Sequence, residues 1–304
     1  MIFVAASLLC CFATSITVFT CARLFQGIGG AGGIVLSRSI AADLYSGKEL
    51  AKLIAILSAI NNLAPVAAPV TGGCVAHAWG WQGIFVILLA LGVILLALCW
   101  ALHESLGREK RFTGSLASSV KGYKTVLGVK GFPAYSLMYA MAMAALFAYI
   151  SATPFIVQEV FGYSELQFSL VFATNAIALA AGSALSLRFR TMSKAAVCGT
   201  VIGSAFAVAG IASAACGISS FIAYEVPTFL MLFGIGLVLT GSTSHAMNLG
   251  RNCAGAASAV IGGIGYITGG LVSPLAGIGN ICITSNVLCL IFLFSGVIVW
   301  KVKG

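Results

Sequence analysis

CARLFQGIGGAGGIVLSR, residues 21–38, reads in two incompatible ways. It contains a literal G-x-G-x-x-G (Gly27, Gly29, Gly32), the spacing that cradles pyrophosphate in dinucleotide-binding folds. That use needs a preceding strand, a helix opening at the glycines and an acid further on for the ribose. Here the string lies within an apolar run with no strand–helix–strand setting. Gly29 and Gly33 are instead four apart, the small-residue spacing that lets helix backbones approach closely in a bilayer. The stretch is read as a membrane helix with a packing face of glycines. Arg23 is then a charge that needs explaining.

Composition extends this reading to the whole chain. Of 304 residues, 60% are hydrophobic and only 8% are charged. A soluble domain carries about 25% charge, so this chain lacks the polar residues to cover itself with a wetted surface. It is expected to cross a membrane several times. The 10 cysteines are scattered through apolar runs without C-x-x-C pairing, and read as small hydrophobes. His77, His103 and His245 are far apart and show no metal-ligand spacing. No nucleophile–base or metal constellation appears, so neither an enzyme nor a bound cofactor or metal is expected. The first residues, MIFVAASLLCC, lack the positive flank of a signal peptide.

Apolar windows of about 20 residues are long enough to span a bilayer as helices. Ten such windows are read, near 2–19, 23–44, 52–77, 82–101, 133–157, 166–187, 195–217, 225–246, 253–276 and 281–300. Alternate connections then separate by charge. One set holds Lys48, Lys52, Arg108, Lys110, Arg111, Lys121, Lys124, Lys130, Arg188, Arg190, Lys194, Arg251, Lys301 and Lys303, with Arg38 at a helix end heading to the same side. The other set has no Lys or Arg but carries Glu159, Glu165 and Glu225. The positive-inside rule makes the basic side cytoplasmic and places the C-terminus there. In this setting the net charge of +9 marks orientation, and no nucleic-acid partner is expected. Three segments follow: an N-terminal bundle of four spans (1–102), a basic cytoplasmic linker (103–132) and a C-terminal six-helix bundle (133–304).

Arg23 alone breaks the charge bias, near the other end of its span. It reads either as a side chain snorkelling to the interface or as a charge facing a central cavity, backed by Gln26 one turn on. NNLAPVAAPVTGG, residues 61–73, is the other unusual stretch. Pro65 and Pro69 share a helix face and loosen the helix. Gly72 and Gly73 then allow close packing, and Asn61 and Asn62 place amides inside a span.

These features together resemble the major facilitator superfamily, and within it the bicyclomycin-resistance (Bcr/CflA-type) multidrug exporters. RLFQGIGGAGGIVLSR resembles the family's fourth-helix arginine motif, with Arg23 at the arginine position. APVAAPVTGG is similar to the fifth-helix antiporter motif, with alanine before its second proline. ATPFIVQEVFGYSELQF (152–168) resembles the loop after the seventh helix, and GSALSLRFRTMSK (182–194) the second-half basic loop. The resemblance implies an all-α major facilitator fold lacking its first two helices, about ten transmembrane helices arranged 4+6.

It further implies proton-coupled efflux of drugs or small amphiphilic compounds by alternating access. The setting is a bacterial inner membrane, the partners are a small-molecule substrate, protons and the lipid bilayer, and the transporter acts as a monomer. Arg23 and Asp43 are the candidates for a proton network. Pro65, Pro69, Gly72 and Gly73 are candidates for an antiporter-motif seam. Gln26, Asn61, Asn62, Tyr139, Phe147 and Asn175 are candidates for the substrate cavity, each with packing as its alternative role. None of the seven acids lies at mid-span, so the coupling carboxylate is expected to lie outside this sequence. The competing readings are a metabolite transporter on the same fold and an inactive truncated remnant.

Overall fold

The structure is a computed structural model. It describes the backbone of residues 1–44, 47–101, 116–216, 220–251, 254–278 and 280–303, and the side chains of 1–33, 40, 68, 71–101, 122–216, 220–251, 255–278 and 280–294. Among these residues there are helices and turns and no strand, as the need to satisfy backbone hydrogen bonds within lipid requires. Six segments are each long and apolar enough to cross a bilayer: Thr71–Ala101, Phe132–Val160, Glu165–Ser186, Met192–Ala215, Phe221–Leu249 and Gly255–Gly277. The chain is a multi-pass membrane protein. It divides into two compact units, Met1–Thr113 and Gly114–Gly304.

The first unit contains α1 (Ile2–Cys11), α2 (Ile16–Leu44) and α3 (Gly47–Ala101). The window expected over 2–19 breaks after Cys11. Ser15 accepts a hydrogen bond from the Val18 amide and starts α2 there, at 3.3 Å. That leaves α1 at 10 residues, about 15 Å long and half the hydrocarbon thickness. The two windows 52–77 and 82–101 form one element broken at Gly80, whose φ of 68° and ψ of −179° are open to glycine alone. Phe19, Trp81 and Phe85 make a triangle of edge-on rings with centroids 5.3–5.9 Å apart, joining α2 to the second half of α3.

The second unit contains α4 (Leu116–Leu127), α5 (Phe132–Phe155), α6 (Glu165–Ser186), α7 (Met192–Ala215), α8 (Phe221–Leu249), α9 (Ala254–Val272) and α10 (Ile281–Lys303). Within the expected linker, α4 docks on this unit through buried Val126 and a contact of Gly122 with Ala256. Residues 102–115 lie outside the described residues. Helix starts follow their sequence signals: Ser164 and Gln167 form a reciprocal capping box on α6, and Thr191 caps α7. Pro154 cannot continue the α-helical ladder, and α5 relaxes into a π turn over Ile156–Val160.

The inner helices of this unit are α5 and α8. Packing of α8 against α6 and α7 is backbone against backbone. A Cβ on Gly182 would overlap the Phe233 carbonyl, and one on Gly236 would overlap the Leu179 carbonyl. Toward α7, a Cβ on Gly234 would fall 2.6 Å from the Gly203 nitrogen, and one on Gly199 would fall 2.5 Å from the Gly234 oxygen. Helices in lipid gain little from the hydrophobic effect, so such close van der Waals contact carries their association.

Gly236→Val drives two methyl groups into the α6 backbone, and is expected to cost about 3 kcal/mol or more, the upper end of overpacking. Gly263→Ala, where a Cβ meets nothing within 4 Å among the described residues, is expected to be neutral or slightly stabilising. The thermal unfolding midpoint of the detergent-purified protein measures both.

Candidate functional site

In the first unit the polar residues of α1 and α2 form a chain. Arg23 donates from Nη1 to Gln26 Oε1, in a short contact. Gln26 Nε2 donates to Ser7 Oγ at 2.7 Å, and Ser7 Oγ donates to the Phe3 carbonyl at 2.7 Å. Gln26 is 2% exposed and Ser7 is fully buried, so the amide is held between a cation and a hydroxyl away from solvent. The Arg23 guanidinium carbon also lies 5.5 Å from the centroid of Phe85, on the aromatic triangle. Its side chain is otherwise exposed within this unit. Arg23 is the eighth residue of α2, about 10 Å along the helix from its start. The chemistry is that of a fixed positive charge presented from an apolar helix pair by an amide relay.

The glycines beside it divide by use. A Cβ on Gly29 would fall 2.6 Å from the Phe3 nitrogen, so this glycine permits the α1–α2 approach, whereas Gly27, Gly32 and Gly33 meet nothing within 4 Å among the described residues. Asp43, Asn61, Asn62, Pro65 and Pro69 lie in the helical parts of α2 and α3, but their side chains are outside the described residues. Gly72 and Gly73 are helical in α3, and a Cβ at Gly72 would meet nothing within 4 Å among the described residues.

In the second unit Tyr139 and Phe147 sit in the seam between α5 and α9. The Tyr139 ring covers Gly265, where a Cβ would fall 2.5 Å from it, and the Phe147 ring covers Gly269 at 2.7 Å on the same measure. Thr268 Oγ1 donates to the Ala140 carbonyl at 3.0 Å, Ser151 and Ser273 share a short hydroxyl contact, and Phe147 meets Tyr266 edge-on at 6.3 Å. Asn175 on α6 is different. It is 1% exposed, and neither its amide oxygen nor its amide nitrogen has a hydrogen-bond partner among the described residues.

Two residues beside Asn175 are not marked by the sequence. The hydropathy pattern leaves Glu225 with the polar connections, at the edge of a window starting at 225. Ser220 is the N-cap of α8, which puts Glu225 inside the helix. The signal that locates this start is the Ser219–Ser220 pair ahead of an apolar run. Tyr149 on α5 carried no signal among 8 tyrosines.

A family model described as Major Facilitator Superfamily matches residues 1–274. The uncharacterized MFS-type transporter YdgK of Bacillus subtilis (strain 168) is 34% identical over 284 residues, 92% of this chain and 71% of that protein. Multidrug resistance protein D of Escherichia coli (strain K12) is 28% identical over 282 residues, 90% of this chain and 69% of that one. Among solved structures, a bacterial homolog of the human lysosomal transporter Spinster, inward-facing and occupied, superposes with a TM-score of 0.67 at 18% identity. That likeness covers 99% of this chain and 80% of the other, and concerns the fold.

Ser7→Ala strands the buried Gln26 amide and is expected to cost about 1–3 kcal/mol, while Ser7→Ala combined with Gln26→Leu is expected to cost less than the two changes summed. Thermal unfolding of the two single variants and the double variant gives the coupling, and strictly additive losses would show that the amide relay carries no energy.

Proposed function

The chain belongs to the major facilitator superfamily, and from that premise we propose that it exports drugs or small amphiphilic compounds in exchange for protons by alternating access. The observation that carries this reading is the Arg23–Gln26–Ser7 chain inside an apolar helix pair. A cation held there is costly unless it serves a cavity or a partner. The similarity to a protein named multidrug resistance protein D supports the choice of cargo.

Each residue takes a role on this reading. Arg23 anchors the polar network that responds to protonation, with Asp43 as its titrating partner on the same helix. Pro65, Pro69, Gly72 and Gly73 form a tight seam that limits proton leak. Asn61 and Asn62 offer amides to the cargo, Gln26 backs Arg23, and Tyr139 and Phe147 shape the cavity from the α5–α9 seam. The protein works as a monomer in a bacterial inner membrane, and the basic connections and the C-terminus face the cytoplasm.

Inside-out vesicles containing the protein are expected to accumulate a fluorescent cationic dye when an inward-acidic gradient is imposed, and to stop when a protonophore is added. Arg23→Ala is expected to lower the rate at least tenfold, about 1.4 kcal/mol, at unchanged expression, with Arg23→Lys retaining part of it because the charge survives and the forked geometry does not. Dye movement indifferent to the protonophore would sink the coupling to protons.

A further inference from the structure

The second unit holds a buried carboxylate with no hydrogen-bond partner among the described residues. Glu225 lies in the second turn of α8, and both of its oxygens are buried without a hydrogen-bond partner among the described residues. The same holds for both polar atoms of Asn175 on α6 and for the hydroxyl of Tyr149 on α5. Asn175 lies within reach of both Glu225 and Tyr149, yet no pair of them meets hydrogen-bond geometry. Tyr149 is 4% exposed and Asn175 1%. Folded proteins leave few buried polar groups unpaired, since each costs about 1–3 kcal/mol. Unpaired polar atoms on three neighbouring side chains, from three helices, mark a place prepared for something else.

The chemistry of the set defines what that is. Glu225 Oε1 and Oε2, Asn175 Oδ1 and Tyr149 Oη are oxygens, and their formal charge when ionised is the single −1 of the carboxylate. The other titratable groups close to the cluster are Tyr224, beside Glu225 on α8, and Cys282 on α10, near Tyr224. Neither is a cation. A divalent ion would leave one positive charge buried without compensation, whereas a monovalent ion neutralises the site. The surroundings keep water away: Phe172 stacks on Tyr149 at 5.8 Å, and Phe161 packs against Tyr224 at 5.7 Å and Phe221 at 5.4 Å.

We propose that Glu225, Asn175 and Tyr149 form a binding site for one monovalent cation, a proton or an alkali-metal ion, inside the C-terminal bundle. Its use as the coupling ion of transport rests on the efflux reading above; its existence does not.

Infrared difference spectroscopy of the purified full chain tests the site without a transported substrate. If the occupant is a proton, a carboxylic-acid C=O band is expected to disappear on raising the pH, and to be missing at every pH in Glu225→Gln. If it is an alkali ion, exchanging choline chloride for sodium chloride at fixed pH is expected to shift the carboxylate band, again only where Glu225 is present. Asn175→Ala and Tyr149→Phe are expected to change the affinity for that cation about tenfold each, in proteins that still elute and melt as folded. No Glu225-dependent change in either arm overturns the site. A band that responds in a protein that moves no dye leaves the site standing and overturns the efflux reading; dye export with a silent Glu225 does the reverse.

Discussion

The direct contact of α8 with the backbones of α6 and α7 is the constraint on which the second unit depends. In lipid there is no aqueous penalty to push apolar helices together, so they hold where their surfaces come closest. Gly182 and Gly236 allow that approach on one side, Gly199, Gly203 and Gly234 on the other. The same contacts aim the polar residues. Asn175 precedes Gly182 by seven positions and Glu225 precedes Gly236 by eleven, two and three helical turns, so each pair shares a helix face. A seam that brings the glycines together therefore turns the amide and the carboxyl toward each other. Packing and polar placement are one feature here.

The first unit repeats the arrangement on a smaller scale. Gly29 lies against Phe3, and Gln26, one turn earlier, meets Ser7, one turn later. That pattern fits two antiparallel helices meeting along a single face. Arg23 is a further turn back on the face of Gln26 and is held by it. Close backbone approach at one point thus fixes a hydrogen-bond chain over two turns, and the chain delivers a charge to the aromatic triangle of Phe19, Trp81 and Phe85.

The membrane class, the helical content and the family were legible in the sequence, because apolar length and motif spacing are linear properties. The G-x-G-x-x-G string lies within the single helix α2, yet of the packing pair Gly29 and Gly33 only Gly29 makes a close contact among the described residues. Which face of a helix points inward was much less legible. A membrane helix is apolar toward lipid and toward its neighbours alike, so hydropathy loses the contrast that identifies the buried stripe of a soluble helix. Asn175 stood out as an amide inside a span, and it is buried. Glu225 did not, because a window placed four residues too late left it at the boundary instead of inside α8. Tyr149 resembles any other aromatic until Asn175 is seen beside it. Tyr139 and Phe147 stand out in the sequence by residue type alone, and their rings cover glycines of α9.

The two polar groupings carry opposite charges and differ in what they can do. Arg23 is a fixed positive charge, which can attract, orient or repel but leaves the exchange of ions to another group. A carboxyl can exchange them, by taking up a proton or an alkali ion, and each uptake removes one charge from a region where charge is expensive. Ion coupling requires a group whose charge differs between two steps of the cycle. Among the described side chains with unsatisfied buried oxygens, Glu225 alone carries a carboxyl group. If coupling resides in this part of the fold, the variable charge is Glu225 and the constant one is Arg23.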